Sequence, residues 1–395
     1  MNRGVSISST FDERDRTGLI LIVAGEASAD LHGANLVRAV RSMDPLLRFQ
    51  GIGGPRMAEA GVDILVPSSE MAVVGLTEVI PRLARIRSAA RLIKHILKAY
   101  APDLLVLLDY PEFNLHIAKT AGRCGVPVFY YISPQVWAWR RGRIRKISRR
   151  VDRMAVILPF EEALYRKTGM EVAYVGHPLL DAVPEGSCRT EARRRLGLDR
   201  DTPLMGIVPG SRDEEVENLL PAMLRAAEIL RGVWPDLRCV VPVASTVSSG
   251  LIADMVREEG VEVSLWREDM HHVLPGCDVA LVASGTATLE TAVHKVPMVI
   301  AYRVSPLSYR IGKAVIRVPF IGLVNLVAGR EVVPELIQGD VSPAGLAREA
   351  ARLLTAGPRR EKVIRELGRV KSLLGPGGAS KRTAARVLGM MNRPV

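Results

Sequence analysis

The chain has 395 residues, 48% hydrophobic and 24% charged, with a net charge of +12. That length exceeds one ordinary domain, and the composition is that of a globular protein with two sizeable cores. Cys124, Cys188, Cys239 and Cys277 form no C-x-x-C pair, which excludes the usual zinc and disulfide frameworks and fits a reducing cytoplasm. The basic excess calls for an anionic partner: nucleic acid, anionic lipid or a phosphorylated substrate.

Residues 1–18 are polar and mixed in charge. Without an apolar core segment they read as a disordered tail, not a signal peptide. No run of about 18 apolar residues occurs, so any membrane contact is expected to be peripheral.

The pattern predicts a strand at Leu19–Ala24, then Gly25-Glu26-Ala27-Ser28-Ala29-Asp30, then a helix from about Leu31 to Met43. This is the opening unit of a doubly wound sheet, whose loops at strand ends bind ligands. G-x-G-x-x-G is missing, so a dinucleotide is not indicated. Glu26, Ser28 and Asp30 are placed to face a hydroxylated ligand, although Ser28 or Asp30 also serves as an ordinary helix cap. Strands follow at Arg48–Ile52 and Asp63–Val66.

From Met71 the sequence is apolar through Val73, Val74, Gly75 and Leu76. Beyond Pro81, Arg82, Arg85, Arg87, Arg91, Lys94 and Lys98 interleave with Leu83, Ile86, Leu92, Ile93, Ile96 and Leu97. A basic amphipathic helix beside an apolar loop suits an anionic membrane surface; it equally describes a packed helix with a solvated charged face.

Leu104–Leu108 is wholly apolar, hence a central strand. It ends in Asp109-Tyr110-Pro111-Glu112-Phe113-Asn114. A carboxylate there is where a general base would be placed, or Asp109 caps the next helix; both readings stay open. A strand at Val126–Ile132 leads to Trp137, Trp139 and a run of arginines from Arg140 to Arg150. Such a run could stack bases, grip a phosphorylated small molecule or face anionic lipid. Strands at Arg153–Ile157 and Val172–Val175 precede Gly176-His177-Pro178, where His177 reads first as a structural hydrogen-bonding group. Residues 184–203 lack a strand pattern and are read as a linker, with Asp199-Arg200-Asp201 as a turn.

The alternation then restarts. Strands are expected at Leu204–Val208, Cys239–Val243, Val261–Leu265, Val279–Val282 and Met298–Ile300, with an extended segment at Pro319–Val324. Pro209-Gly210-Ser211-Arg212 follows the first of these; Arg212 can fork onto phosphate oxygens. Ala283-Ser284-Gly285-Thr286-Ala287-Thr288-Leu289-Glu290 follows the fourth. Strand, small-residue turn and helix present free backbone N–H groups to an anion. Glu290, one turn in, could hold a ribose diol, though the stretch also reads as an ordinary capped turn. Basic helices are expected at Ala344–Leu354, Arg359–Leu374 and Lys381–Met391. P-loop, H-E-x-x-H and G-x-S-x-G motifs are missing.

Seven strings, in order, resemble the lipid-A-disaccharide synthase family: A-G-E-A-S-A-D at Ala24, G-I-G-G-P-R-M at Gly51, D-Y-P-E-F-N at Asp109, S-P-Q-V-W-A-W-R at Ser133, P-G-S-R at Pro209, A-S-G-T-A-T-L-E at Ala283 and N-L-V-A-G-R at Asn325. Two positions depart from the family pattern: Ala29 stands for a usual glycine, and Glu112 for a frequent aspartate.

The resemblance implies an α/β fold of two Rossmann-like doubly wound domains facing across a cleft (GT-B). It implies residues 19–183 as an acceptor- and membrane-facing domain, 204–340 as a UDP-binding domain, and 341–395 as C-terminal helices able to pack back on the first domain. The activity implied is inverting hexosyl transfer from UDP-2,3-diacylglucosamine to the 6-hydroxyl of 2,3-diacylglucosamine 1-phosphate, giving a β-1,6 disaccharide and UDP. No metal or cofactor is implied.

In that frame Asp109 is the base. Ser211, Arg212, Ser284, Gly285, Thr286, Glu290 and Asn325 hold the donor, and Glu26 and Ser28 orient sugar or acceptor. Met71, Val73, Val74, Leu76, Arg82 and Arg85 meet the membrane or acyl chains. The expected location is cytoplasmic, peripheral on the inner face of the inner membrane, with no nucleic acid partner and room for a homodimer. The rival enzyme is a UDP-N-acetylglucosamine 2-epimerase, which shares the architecture; the rival outside enzymology is an RNA-binding protein using Trp137, Trp139 and the arginines.

Overall fold

The computed structural model describes residues 18–71, 79–139, 141–316 and 318–391. The chain forms two compact units, residues 1–181 with 376–395, and residues 182–375.

The first unit holds a seven-stranded parallel sheet. Its strands are β1 (Leu19–Ala24), β2 (Arg48–Gly53), β3 (Val62–Pro67), β4 (Leu104–Leu108), β5 (Val128–Tyr131), β6 (Arg153–Val156) and β7 (Glu171–Tyr174). Their order is β3-β2-β1-β4-β5-β6-β7. Parallel strands need crossover connections, and the intervening helices cover the sheet. That is why β1 and β4 are buried end to end and read as continuous apolar runs.

The second unit repeats the plan with β8 (Leu204–Val208), β9 (Arg238–Pro242), β10 (Ser264–Trp266), β11 (Val279–Ala283), β12 (Met298–Tyr302) and β13 (Glu335–Ile337). The order is β10-β9-β8-β11-β12-β13, again parallel. Both units are therefore Rossmann-like, doubly wound α/β sheets.

Three expectations need correction. The segment 184–203 is not a linker: it belongs to the second unit and carries a helix, Arg189–Arg195. Arg193 is buried because its N–H groups are answered, by Asp278 Oδ2 at 2.8 Å and by the carbonyls of Gly276, Asp199 and Thr202. The last two bonds clamp the turn at Asp199–Asp201. Asp278 also takes Arg189 at 2.8 Å, with Arg360 Nη2 at 3.5 Å.

Second, the extended reading of Pro319–Val324 fails at its end, where Leu323 and Val324 open a helix, Leu323–Ala328. Third, β13 was not expected; three residues are too few to show a period of two. The C-terminal segment divides: helices Pro343–Leu354 and Pro358–Leu373 lie in the second unit, and Ala379–Met390 in the first.

Candidate active site

In each sheet the strand order reverses once, between β1 and β4 and between β8 and β11. Ligands of open α/β sheets bind at such switch points, beyond the carboxyl ends of the strands.

In the first unit, Ala24 pairs with Leu108, so β1 and β4 end level. Glu26 and Asp109 therefore emerge side by side. Asp109 and Tyr110 adopt φ of 44° and 45°, a left-handed conformation that is strained for residues with a Cβ. The surroundings impose it. Asn114 Nδ2 donates to the carbonyls of Leu108 (3.0 Å) and Asp109 (2.6 Å), and the Tyr130 hydroxyl donates to the Asp109 carbonyl. Tyr110 donates its hydroxyl to the Met71 carbonyl at 3.0 Å. Its ring lies against Gly25, where a Cβ would come within 2.8 Å of Cγ. Burial above all, then the Glu26 charge, pushes the Asp109 carboxyl up to about 6, against a stabilising bond from the Tyr110 backbone. This is a carboxylate tuned toward proton exchange near neutrality.

Glu26 and Ser28 are exposed at the start of the helix Ala27–Met43, with Glu26 as N-cap but making no side-chain cap bond. Asp30 does not face a ligand. It is buried and accepts from the backbone N–H groups of Gly54 (2.6 Å), Arg56 (3.1 Å) and Met57 (3.1 Å), thereby capping the neighbouring helix Pro55–Glu59. His177 is buried, Nδ1 accepts from Leu179 N at 3.2 Å, and burial lowers its pKa to about 3. It is a structural group. Trp137 is also internal: Nε1 donates to Glu161 at 2.9 Å, and its ring meets Phe160 edge-on. A base-stacking role for Trp137 falls with that, since the ring is not accessible.

The membrane and acyl residues fare unevenly. Met71 is fully buried in the core of the first unit, a correction to its expected role. Val73, Val74 and Leu76 lie outside the described residues, as does the side chain of Arg82. Arg85 is exposed on the helix Val79–Ala99. The apolar face of that helix, with Ile93, Ile96 and Leu97, is packed into the core. Arg87 and Arg91 are exposed on the same helix.

In the second unit, Val208 pairs with Val282, bringing the loops after β8 and β11 together. Gly285 is the N-cap of the helix Thr286–Val293, without a side-chain cap bond, and the space beside its Cα is open. Thr288 turns both N and Oγ1 to the Gly285 carbonyl, at 3.1 and 2.8 Å. Among the described residues no bond answers the amides of Thr286 and Ala287 in the first turn of that helix. Thr286 is exposed; Ser284 Oγ is tied to the Ile321 carbonyl at 3.1 Å. Glu290 has no side-chain partner among the described residues. Burial, reinforced by Asp269, pushes its pKa to about 7.

After β8, Ser211 N and Arg212 Nη1 both donate to Glu215, each at 2.9 Å, and both residues are exposed. Gly210 has φ of 133°, and a Cβ there would strike Glu215 Cβ at 2.6 Å. Asn325 is not a donor ligand. It is fully buried: Nδ2 donates to Val333 O and Glu335 Oε1, both at 2.8 Å, and Oδ1 accepts from the amides of Val332 and Val333. A feature with no sequence signal is a histidine pair, His271 Nδ1 to His294 Nε2 at 2.7 Å, with His294 four residues beyond Glu290. A cavity of about 340 Å³ lined by Arg189, Lys295, Arg360 and Lys371 also includes Cys277 and Pro297, which precede β11 and β12. It opens at the opposite edge of the sheet from the cradle and plays no part in it.

Among the described residues, no helix is long and apolar enough to cross a membrane. The sequence pattern of the LpxB (lipid-A-disaccharide synthetase) family matches residues 20–386. A lipid-A-disaccharide synthase of Geobacter sulfurreducens is 49% identical over 376 residues, covering 95% of this chain and 98% of the relative. Among solved structures, UDP-GlcNAc 2-epimerase from Neisseria meningitidis bound to UDP-GlcNAc superposes with a TM-score of 0.60 at 11% identity, covering 94% of this chain and 100% of that one. The calicheamicin glycosyltransferase CalG4 superposes with a TM-score of 0.60 at 16% identity, covering 95% and 98%. The last two likenesses establish the GT-B type fold alone.

Proposed function

Because the chain belongs to the lipid-A-disaccharide synthase family of glycosyltransferases, we propose that it transfers 2,3-diacylglucosamine from UDP-2,3-diacylglucosamine to the 6-hydroxyl of 2,3-diacylglucosamine 1-phosphate. Asp109 carries the reading: a strained, largely buried carboxyl beside Glu26, at a strand end, with its pKa raised to about 6. At pH 7 it is mostly ionised and still basic enough to take a proton.

The acceptor O6 attacks the anomeric carbon, and its proton passes to Asp109. The bond from that carbon to the UDP oxygen breaks on the opposite face, UDP leaves with the electron pair, and the configuration inverts. Charge growing on the diphosphate is met by the amides of Thr286 and Ala287 and by Arg212. Glu290 accepts from the ribose hydroxyls, and Glu26 and Ser28 orient the sugar being attacked. Both substrates carry acyl chains, which supports a reaction carried out at the inner face of the inner membrane.

Incubation with both acylated substrates tests this. Disaccharide 1-phosphate and an equal amount of UDP are expected, with neither formed from donor alone. UDP released without acceptor, or epimerised UDP-N-acetylglucosamine with no disaccharide, would overturn it.

A further inference from the structure

We infer that the helix Pro306–Val315 of the second unit is a membrane-contacting element that lays its apolar face on an anionic lipid surface. None of its residues is buried. Leu307 is 69% exposed, Ile311 58% and Val315 39%, and Ile316 just beyond is 41% exposed. The first three stand at i, i+4 and i+8, one stripe along one side. A stripe of this kind left in water is unfavourable, and it marks a contact surface.

The helix is formed without help from a partner. Ser305 Oγ accepts from Ser308 N at 3.2 Å as N-cap, and Pro306 takes the first helical position, so both entry devices are local.

Charge selects the occupant. Arg310 is exposed at the border of the stripe, Lys313 is exposed further round the helix, and among the described residues neither has a carboxylate partner. In the sequence no acidic residue occurs between Glu290 and Glu331, while Arg303, Arg310 and Lys313 do. An apolar stripe bordered by Arg310 on a pre-formed helix suits an interface of anionic headgroups over acyl chains. Among the described residues, no other helix exposes three large apolar side chains in one such stripe.

Position adds to this. The helix starts four residues after β12, at the same sheet edge as Ser284–Glu290, and Ile321 beyond its end receives the Ser284 hydroxyl. A lipid surface held here lies next to the loop that the preceding section assigns to the donor. The inference itself rests on the helix and needs no substrate.

Vesicle flotation of the full-length protein tests it. Wild type is expected to float with phosphatidylcholine vesicles containing phosphatidylglycerol, and weakly with phosphatidylcholine alone. L307S/I311S/V315S should lose the partition by tenfold or more. R310E should weaken it by about fivefold or more. All three substitutions of the first variant are at exposed sites, so its circular dichroism and its UDP release from detergent-dispersed substrates should match wild type.

Wild type that does not float overturns the inference, as does a triple variant that floats equally well. Self-association of wild type on gel filtration, abolished in the triple variant without any vesicle binding, overturns it in favour of a second copy of the chain. Failure of both proteins to release UDP would instead sink the synthase reading while leaving the vesicle result intact.

Discussion

Asp109 combines two costs that a purely structural residue would avoid. Its backbone sits in the left-handed region together with that of Tyr110, at about 1–3 kcal/mol for each such residue. Its carboxyl is also held above its ordinary value of 3.8. The folded protein thus binds this proton more tightly than the unfolded chain does. Ionising Asp109 removes stability as pH rises from about 4 to about 6, and the loss is complete above that. Two outcomes follow. The kcat/KM profile should climb to a plateau with an apparent pKa near 6. Asp109→Asn should lower turnover by about 10²–10⁴-fold, keep UDP affinity, and melt no lower than wild type at pH 7. A clear fall in melting temperature would mark the carboxylate as structural. The strand end and the carboxylate are legible in the sequence. The Asn114 and Tyr130 bonds that hold the turn are not, because they join residues whose proximity only the fold creates.

Among the elements, the helix Leu323–Ala328 shows how a polar residue near a site misleads. Asn325 resembles a ligand residue by position, yet all its hydrogen-bonding capacity is spent on Val332, Val333 and Glu335. Glu335 in turn accepts from the amides of Ile321 (2.8 Å) and Gly322 (3.0 Å). The pair ties β13 to the loop that meets Ser284. Asn325→Ala should reduce unfolding free energy on the order of 1–3 kcal/mol for the buried groups left unpaired, measured by urea denaturation, with UDP affinity little changed. Weaker UDP binding at unchanged stability would return Asn325 to the donor site. A similar ambiguity attaches to the helix Val79–Ala99. Its amphipathic pattern is plain in sequence, but a pattern does not say whether the apolar side meets the protein's own core or a partner.

For the whole molecule, the chain leaves the first unit after Asp181 and returns to it at Pro376. Asp181 accepts from the backbone N–H groups of Ala379 (3.3 Å) and Ser380 (3.0 Å) and from Ser380 Oγ (3.0 Å). Arg382 binds the Val175 carbonyl at 2.9 Å through Nε. A carboxylate from one end of the excursion therefore caps the helix Ala379–Met390 at the other, replacing the cap that Gly378 cannot supply. Asp181→Ala should cost about 0.5–2 kcal/mol as a lost cap and raise amide exchange in residues 379–390 ahead of the rest of the first unit. Uniform exchange across that unit would show that apolar packing, and not Asp181, holds the helix.

By itself the sequence determined the two βα alternations, the central strands and the positions of Asp109, Glu26 and Ser284–Glu290 after them. These depend on local periodicity and on small residues at strand ends, which neighbouring positions encode. Tertiary structure alone decided where Asp30, Asn325, Met71 and Trp137 spend their side chains. It also decided that 184–203 is a clamped part of the second unit and that the stripe on Pro306–Val315 is left uncovered. Each of these is a question of which distant group answers a hydrogen bond or covers an apolar face, and sequence order carries no record of that.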